Sequence, residues 1–177
     1  MIDLEALRRE YGDFRIVAKR LVVDAEGWAR WRRWGARHAF AAGAVVWNDR
    51  RDVLLVRHAP EAGWGDQWAT PGGSAEANET PEEAVRREIR EEAGVEIEIL
   101  GLDLVNRYEI TNGSEALAMD YLQFEARVRS GTPRPGHETV EVQWFAALPD
   151  ATAYREDFED LVRRRKTEQY RKAPNNA

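Results

Sequence analysis

The chain contains no cysteine and only 2 methionines among its 177 residues. Without thiols there is no disulfide framework and no cysteine nucleophile, and the composition reads as that of a cytoplasmic protein. A long apolar run is also missing. The longest stretch, AFAAGAVVW at 39–47, is far too short to span a bilayer, so no membrane role is expected. Basic residues are not in excess: the formal net charge of -6 argues against a general nucleic-acid surface. The first residues, MIDLEALRREYGDF, are acidic and amphipathic, unlike a secretory signal. No internal repeat or low-complexity linker is present. The length suits a single domain over 1–177 with a full apolar core. Within it, residues 1–38 read as an amino-terminal strand–helix extension and 171–177 as a frayed, disordered tail.

Short apolar runs alternate with amphipathic ones. FRIVAKRLVV at 14–23 reads as a strand, and Asp24 can cap a short helix through Trp34. AGAVVW and VLLVR, on either side of NDRRD, suggest a hairpin. A loop from His58 to Asn78 follows. VEIEILGLDLV alternates with period two, ITNGSE carries an Asn-Gly turn, and ALAMDYLQFEARV and TVEVQWF read as further strands. A last helix over 151–170 is expected to bury Tyr154, Phe158, Leu161 and Val162. Trp144, alternating with Val140 and Val142, is placed in the core. Strands with helices before, between and after them imply a mixed central sheet covered on both faces.

The segment with the most chemistry is GGSAEANETPEEAVRREIREEAGV, Gly72 to Val95. Thr80 is an N-cap, Pro81 opens the helix, Glu83 completes a capping box and Gly94 stops it, which predicts a helix over 81–93. At about 100° per residue, Val85, Ile89 and Ala93 share the core-facing arc. Glu88, Glu91 and Glu92 fall together on the neighbouring arc. Small Ala84 among them leaves the acidic stripe open, and Arg86, Arg87 and Arg90 are expected on the far side. Like charges at this spacing weaken a helix. Segregation of acids from arginines, next to the carbonyls of TPGG, makes sense if a hard divalent cation cancels the repulsion.

These residues resemble the signature box of the Nudix hydrolases: Gly73, Glu79, Arg87, Glu88, Ile89, Glu91, Glu92, Gly94 and Val95 match every specified position. With background frequencies of roughly 0.06 for each of the seven fixed types, a chance match is about 10^-9 to 10^-8 per starting point. The resemblance implies an α/β/α sandwich with a mixed central sheet and an enzyme that hydrolyses a diphosphate linkage in a nucleotide, using Mg2+ or Mn2+. It makes Glu91 and Glu92 the main metal ligands, Glu88 a ligand or general base, and the Gly72 carbonyl a further ligand. Gly73, Glu79, Arg87 and Gly94 become structural supports of the box, with Arg87 paired to Glu79. A further acid from a later loop is expected: Glu138, at a loop–strand junction, is preferred to Glu141. Trp64 and Arg57 are expected at the substrate, Trp64 stacking on a base, while His38 and His58 are read as structural or surface residues.

Within the class that the resemblance implies the substrate is open, with ADP-ribose and a nucleoside triphosphate on equal terms and RNA a weaker third. The chain lacks the Ser-Gln-Pro-Trp-Pro-Phe-Pro stretch of the NADH-cleaving members. The alternative function is a non-catalytic nucleotide-sensing module, but every acid of the box is retained. WARWRRWGARH at 28–38 could stack on nucleic acid. The competing reading, that Trp28 and Trp31 pack a helix onto the sheet while the arginines reach water, fits the acidic chain better. A homodimer is compatible with the sequence.

Overall fold

The computed structural model describes residues 2–59 and 66–172, the side chains of 168–172 apart. Trp64 and the tail from 173 onward lie outside the described residues. In chain order the elements are α1 (Leu4–Tyr11), β1 (Arg15–Val22), α2 (Ala25–Gly35), β2 (Phe40–Trp47), β3 (Val53–His58), β4 (Trp68–Ala69), β5 (Gly72–Ser74), α3 (Pro81–Ala93), β6 (Glu96–Thr111), β7 (Ala116–Ser130), β8 (Thr139–Phe145) and α4 (Arg155–Lys172).

The sheet is mixed and runs β1-β6-β7-β2-β3-β4, with β5 on β2 and β8 on β3. β1 is parallel to β6 and β2 to β7, and the other pairs are antiparallel. The centre is a fork. β2 and β3 pair only at Val46–Leu54 and Trp47–Val53 and then part. In the gap, β3 takes β4 through Val56–Ala69, and β2 takes β5 through Ala42–Gly73 and Gly43–Gly72. The turn between β4 and β5, carrying Thr70 and Pro71, therefore sits in the crotch of the fork.

Helices cover both faces, as expected for an α/β/α sandwich. On one, Ala42, Ala44, Val46, Leu54 and Val56 pack with Leu7 of α1 and Ala84, Val85 and Ile89 of α3. On the other, Val45, Trp47, Val53 and Leu55 pack with Phe158, Leu161 and Val162 of α4. β2 is covered on both faces, which explains why it is almost continuously apolar and small. Each fully buried Val or Ile contributes about 1.5–3 kcal/mol. On the α4 side the amino-terminal elements are tied in by polar contacts: Lys19 Nζ lies 2.6 Å from Asp157, which also accepts from Asn106 at 2.8 Å. No helix among the described residues is long and apolar enough to cross a membrane.

Four expectations need correction. The loop 58–78 contains β4 and β5, because their pairing is with distant strands and no local pattern announces it. β6 and β7 extend beyond the expected strands, to Thr111 and Ser130. The last helix begins at Arg155 rather than 151, and Tyr154, at φ 51°, stands outside it, 53% exposed. Val140 is exposed rather than core-facing: Arg57 pairs Glu141 and His58 pairs Thr139, so Val140 is the extra residue of a β-bulge.

Candidate active site

Helix α3 carries the acids, and local chemistry fixes its ends. Thr80 Oγ1 accepts from the Glu83 amide at 3.3 Å, while the Glu83 carboxylate accepts from the Thr80 amide at 2.9 Å. Gly94, at φ 69° and ψ 21°, closes the helix in the left-handed conformation that a side chain disfavours.

Burial of the three glutamates follows their angle from the core-facing direction of Val85. At about 100° per residue, Glu92 is roughly 20° away, Glu88 roughly 60° and Glu91 roughly 120°. Their side chains are 5%, 12% and 46% exposed. The stripe is thus a ramp from core to solvent. Ala84 is not a gap in it, because it is wholly buried in the core beside Val85.

Two loops from distant sequence close on this ramp. From the fork, the Gly72 amide donates to Glu92 Oε2 at 2.8 Å. Gly73 lies so near Glu88 that a Cβ there would stand 2.7 Å from its carboxyl atoms. From the other side, the segment before β8 and its first residue satisfy the carbonyls at the end of α3: Arg134 N donates to Ala93 O at 3.0 Å, Gly136 N to Glu92 O at 3.2 Å, and Thr139 Oγ1 to Glu92 O at 2.7 Å. A Cβ at Gly136 would lie 1.6 Å from the Glu91 carbonyl oxygen, so only glycine allows this approach. The loop brings Glu138, its side chain 64% exposed, to where its charge acts on Glu88 and Glu92.

Arg87 does not lie apart from the acids with Arg86 and Arg90. It sits roughly 40° from Glu91 on the wheel, and its guanidinium turns into the site. It donates to both oxygens of Glu79 at 2.7 and 2.9 Å, to Glu88 at 2.8 Å, to Glu91 at 3.1 Å and to the Ser74 carbonyl at 2.9 Å. Arg86 and Arg90 do point away, to the Ile97 carbonyl and Glu96.

The electrostatics are uneven. Burial pushes the Glu92 carboxyl up to about 8; the Gly72 amide pulls it down, while the charges of Glu88, Glu138 and Glu91 add to the rise. Burial also raises Glu88, against the pull of Arg87. The hydrogen bonds from Arg87 hold Glu79 below the usual carboxylate range. Glu88, Glu91 and Glu92, with the Gly72 carbonyl, are oxygen donors of the kind that hard divalent cations take. Among the described residues no three carboxylate or imidazole groups are already gathered into a metal shell. The donor chemistry fits, and a cation would draw Glu88 and Glu91 from Arg87.

His58 is a structural residue and not a surface one: its ring is buried with Nε2 3.5 Å from Glu92. Period two in β3 carries the signal: Leu54 and Val56 face α3, so His58 faces it too. Arg57 points the other way. Its guanidinium meets Asp66 at 2.5 Å, Glu141 directly opposite on β8, and the Trp68 ring at 5.6 Å. Glu141 is thereby committed to Arg57. Trp68 stacks edge-on against Phe145 with centroids 4.7 Å apart.

Comparison with known proteins agrees with this architecture. The NUDIX domain family matches residues 37–164. A MutT-like protein of Streptomyces ambofaciens is 35% identical over 114 residues, 64% of this chain and 66% of that protein. A protein of Halorhodospira halophila named an RNA pyrophosphohydrolase is 47% identical over 62 residues, 33% of this chain and only 32% of its own length. The crystal structure of a NUDIX hydrolase from Nitrosomonas europaea superposes with a TM-score of 0.58 at 28% identity, covering 76% of this chain and 73% of that one. The family match spans the fork, the acidic helix and both loops that close on it, and the chain belongs to the Nudix hydrolase family.

Proposed function

We propose that this protein hydrolyses a diphosphate linkage in a small nucleotide, with Mg2+ or Mn2+ as its cofactor. The observation that carries this reading is the ramp of Glu92, Glu88 and Glu91, enclosed by the Gly72–Gly73 turn and the Glu138 loop. Burial, and after it the charges of the neighbouring acids, raises Glu92 in the metal-free chain, and a cation entering the ramp would offset that cost.

A bound divalent cation would neutralise the diphosphate oxygens and acidify water. Glu91, Glu92, Glu88 and the Gly72 carbonyl would hold it. Arg87, anchored on Glu79, orients Glu88 and Glu91 and supports the turn through the Ser74 carbonyl. Glu138 is the candidate proton acceptor, because it is exposed to incoming water and next to the buried acids. Trp64 and Arg57 are assigned to the substrate side, Arg57 to a part of the substrate away from the acid ramp, since it faces away from Glu92 across β3.

The name of the Halorhodospira relative, an RNA pyrophosphohydrolase, sets RNA beside the nucleoside triphosphate and ADP-ribose. The deciding experiment offers all three with Mg2+ and identifies the nucleotide product and released phosphate or pyrophosphate. Turnover of one of them that EDTA abolishes and Mg2+ restores supports the proposal. Tight nucleotide binding with no turnover in Mg2+ or Mn2+ would replace it with the sensing module.

A further inference from the structure

The family match begins at residue 37, yet Trp34, before it, joins His38, at its edge, in gripping the glycine turn of the site. The Trp34 indole Nε1–H donates to Ser74 Oγ at 2.7 Å. His38 holds its Nδ1 2.8 Å from the Ala75 carbonyl. Trp34 is itself held between rings: Trp31 packs edge-on at 5.7 Å between centroids, and His38 lies at 5.5 Å.

Ser74 is consequently held at two points. Its carbonyl accepts from Arg87 of α3 at 2.9 Å, while its hydroxyl accepts from Trp34 of α2. The two grips come from opposite faces. Ser74 pairs with Ala41 and Gly73 with Ala42, Ala42 belongs to the α3-side core, and neighbouring strand residues point to opposite sides. Between the grips, β5 is three residues long and begins Gly-Gly, a sequence with little stiffness of its own. Its place matters because Gly73 abuts the Glu88 carboxylate. Burial of the helix does not require such a contact, since Trp28 of the same helix is buried, at 8% exposure, with no hydrogen-bond partner for its indole N–H.

We propose that α2 braces the glycine turn of the hydrolytic site, with Trp34 a positioning residue whose indole N–H, through Ser74, fixes Gly73 against Glu88. This rests on Glu88 belonging to that site. It gives the Trp/Arg-rich segment a task within the molecule.

The test uses the full chain and three variants: Trp34→Phe, which keeps an aromatic ring, Ser74→Ala, and the two combined. Hydrogen–deuterium exchange over 70–76 reads the brace without reference to turnover. The loss of one neutral hydrogen bond should speed exchange at Gly72–Ala75 by about three- to tenfold in either single variant. The double variant should go no further, because both changes remove one interaction. Exchange in β8 should stay at the wild-type level. On whichever nucleotide the wild type cleaves, kcat should fall by a similar factor with KM unchanged. Wild-type exchange at Gly72–Ala75 in Trp34→Phe, or effects that add in the double variant, would overturn the brace. If Trp34→Phe does not fold, Ser74→Ala decides alone, and wild-type exchange there overturns it. A wild-type chain inactive on every nucleotide would sink the proposed function, while the exchange data would still decide the brace.

Discussion

Glu92 has more to lose by ionising than its neighbours. Its folded value of about 8 lies above the ordinary 4.5, so the folded state binds this proton more tightly than the unfolded one. The stabilisation is complete below the unfolded value and is lost as pH rises through the folded one. The metal-free protein should therefore lose stability on this group's account between about pH 4.5 and about pH 8, by up to a few kcal/mol. Glu92→Gln keeps an acceptor for the Gly72 amide and removes the titration. Denaturant melts in EDTA should show the variant more stable than wild type near about pH 8.5, by about 1–3 kcal/mol, and nearly equal to it near about pH 5. Turnover should fall by orders of magnitude at both. A variant less stable than wild type at the higher pH would show that the carboxylate is better compensated than its burial implies. Gly73 supplies a contrasting test. The atoms nearest to a methyl there are the end of the Glu88 side chain, which can shift by turning about its own bonds. Gly73→Ala should cost less than about 1 kcal/mol of stability yet reduce kcat on the order of a hundredfold, because a small displacement of a catalytic group is expensive. Equal losses in melting temperature and activity would deny Glu88 its role.

Helix α3 and the loop 131–138 behave as one unit, since the loop completes the hydrogen bonding at the helix end. Gly136→Ala would place a methyl against the Glu91 carbonyl, and backbone cannot swing aside as a side chain does. The loop must lift from the helix, at a cost of about 1–3 kcal/mol. Glu138 goes with it, so the variant should lose both melting temperature and kcat, unlike Gly73→Ala. Unchanged melting would mean that the loop does not rest on α3. The same elements show what was legible in the sequence. The boundaries of α3 were readable because Thr80, Pro81, Glu83 and Gly94 act within a turn of their own positions. The burial ramp was readable in principle from angles alone, although Ala84 and Arg87 were assigned to the wrong surroundings. Wheel positions locate Cβ atoms and say little about where a long guanidinium ends. Strands β4 and β5 were hidden, because WATPGGS is punctuated by glycine and proline and takes its form from β2 and β3. The partners of His58 and Ser74 were hidden for a related reason, since they lie 34 and 40 residues away.

At the scale of the whole molecule, metal should act on stability as well as turnover. A ligand that binds only the folded state stabilises it by about 2.7 kcal/mol at a hundredfold excess over its Kd. Adding Mg2+ or Mn2+ to an EDTA-treated sample should raise the melting temperature of the wild type, and less so that of Glu92→Gln. Identical melting with and without either ion would remove them as cofactors. The parallel pairing of β1 with β6 carries a different consequence. Its partners, such as Arg15 and Leu104, lie roughly 90 residues apart, a costly loop to close. During synthesis at about 5–20 residues per second, the tryptophan-rich start of the chain must wait about 5–20 seconds for its docking strand. Throughout that interval α2 lacks β6 and β7, the strands it packs against, so a nascent chain halted before β6 offers an apolar, basic segment to chaperones. Pulse-labelled exchange during refolding should accordingly find the amides of Arg15–Val22 protected no earlier than those of Leu104–Thr111.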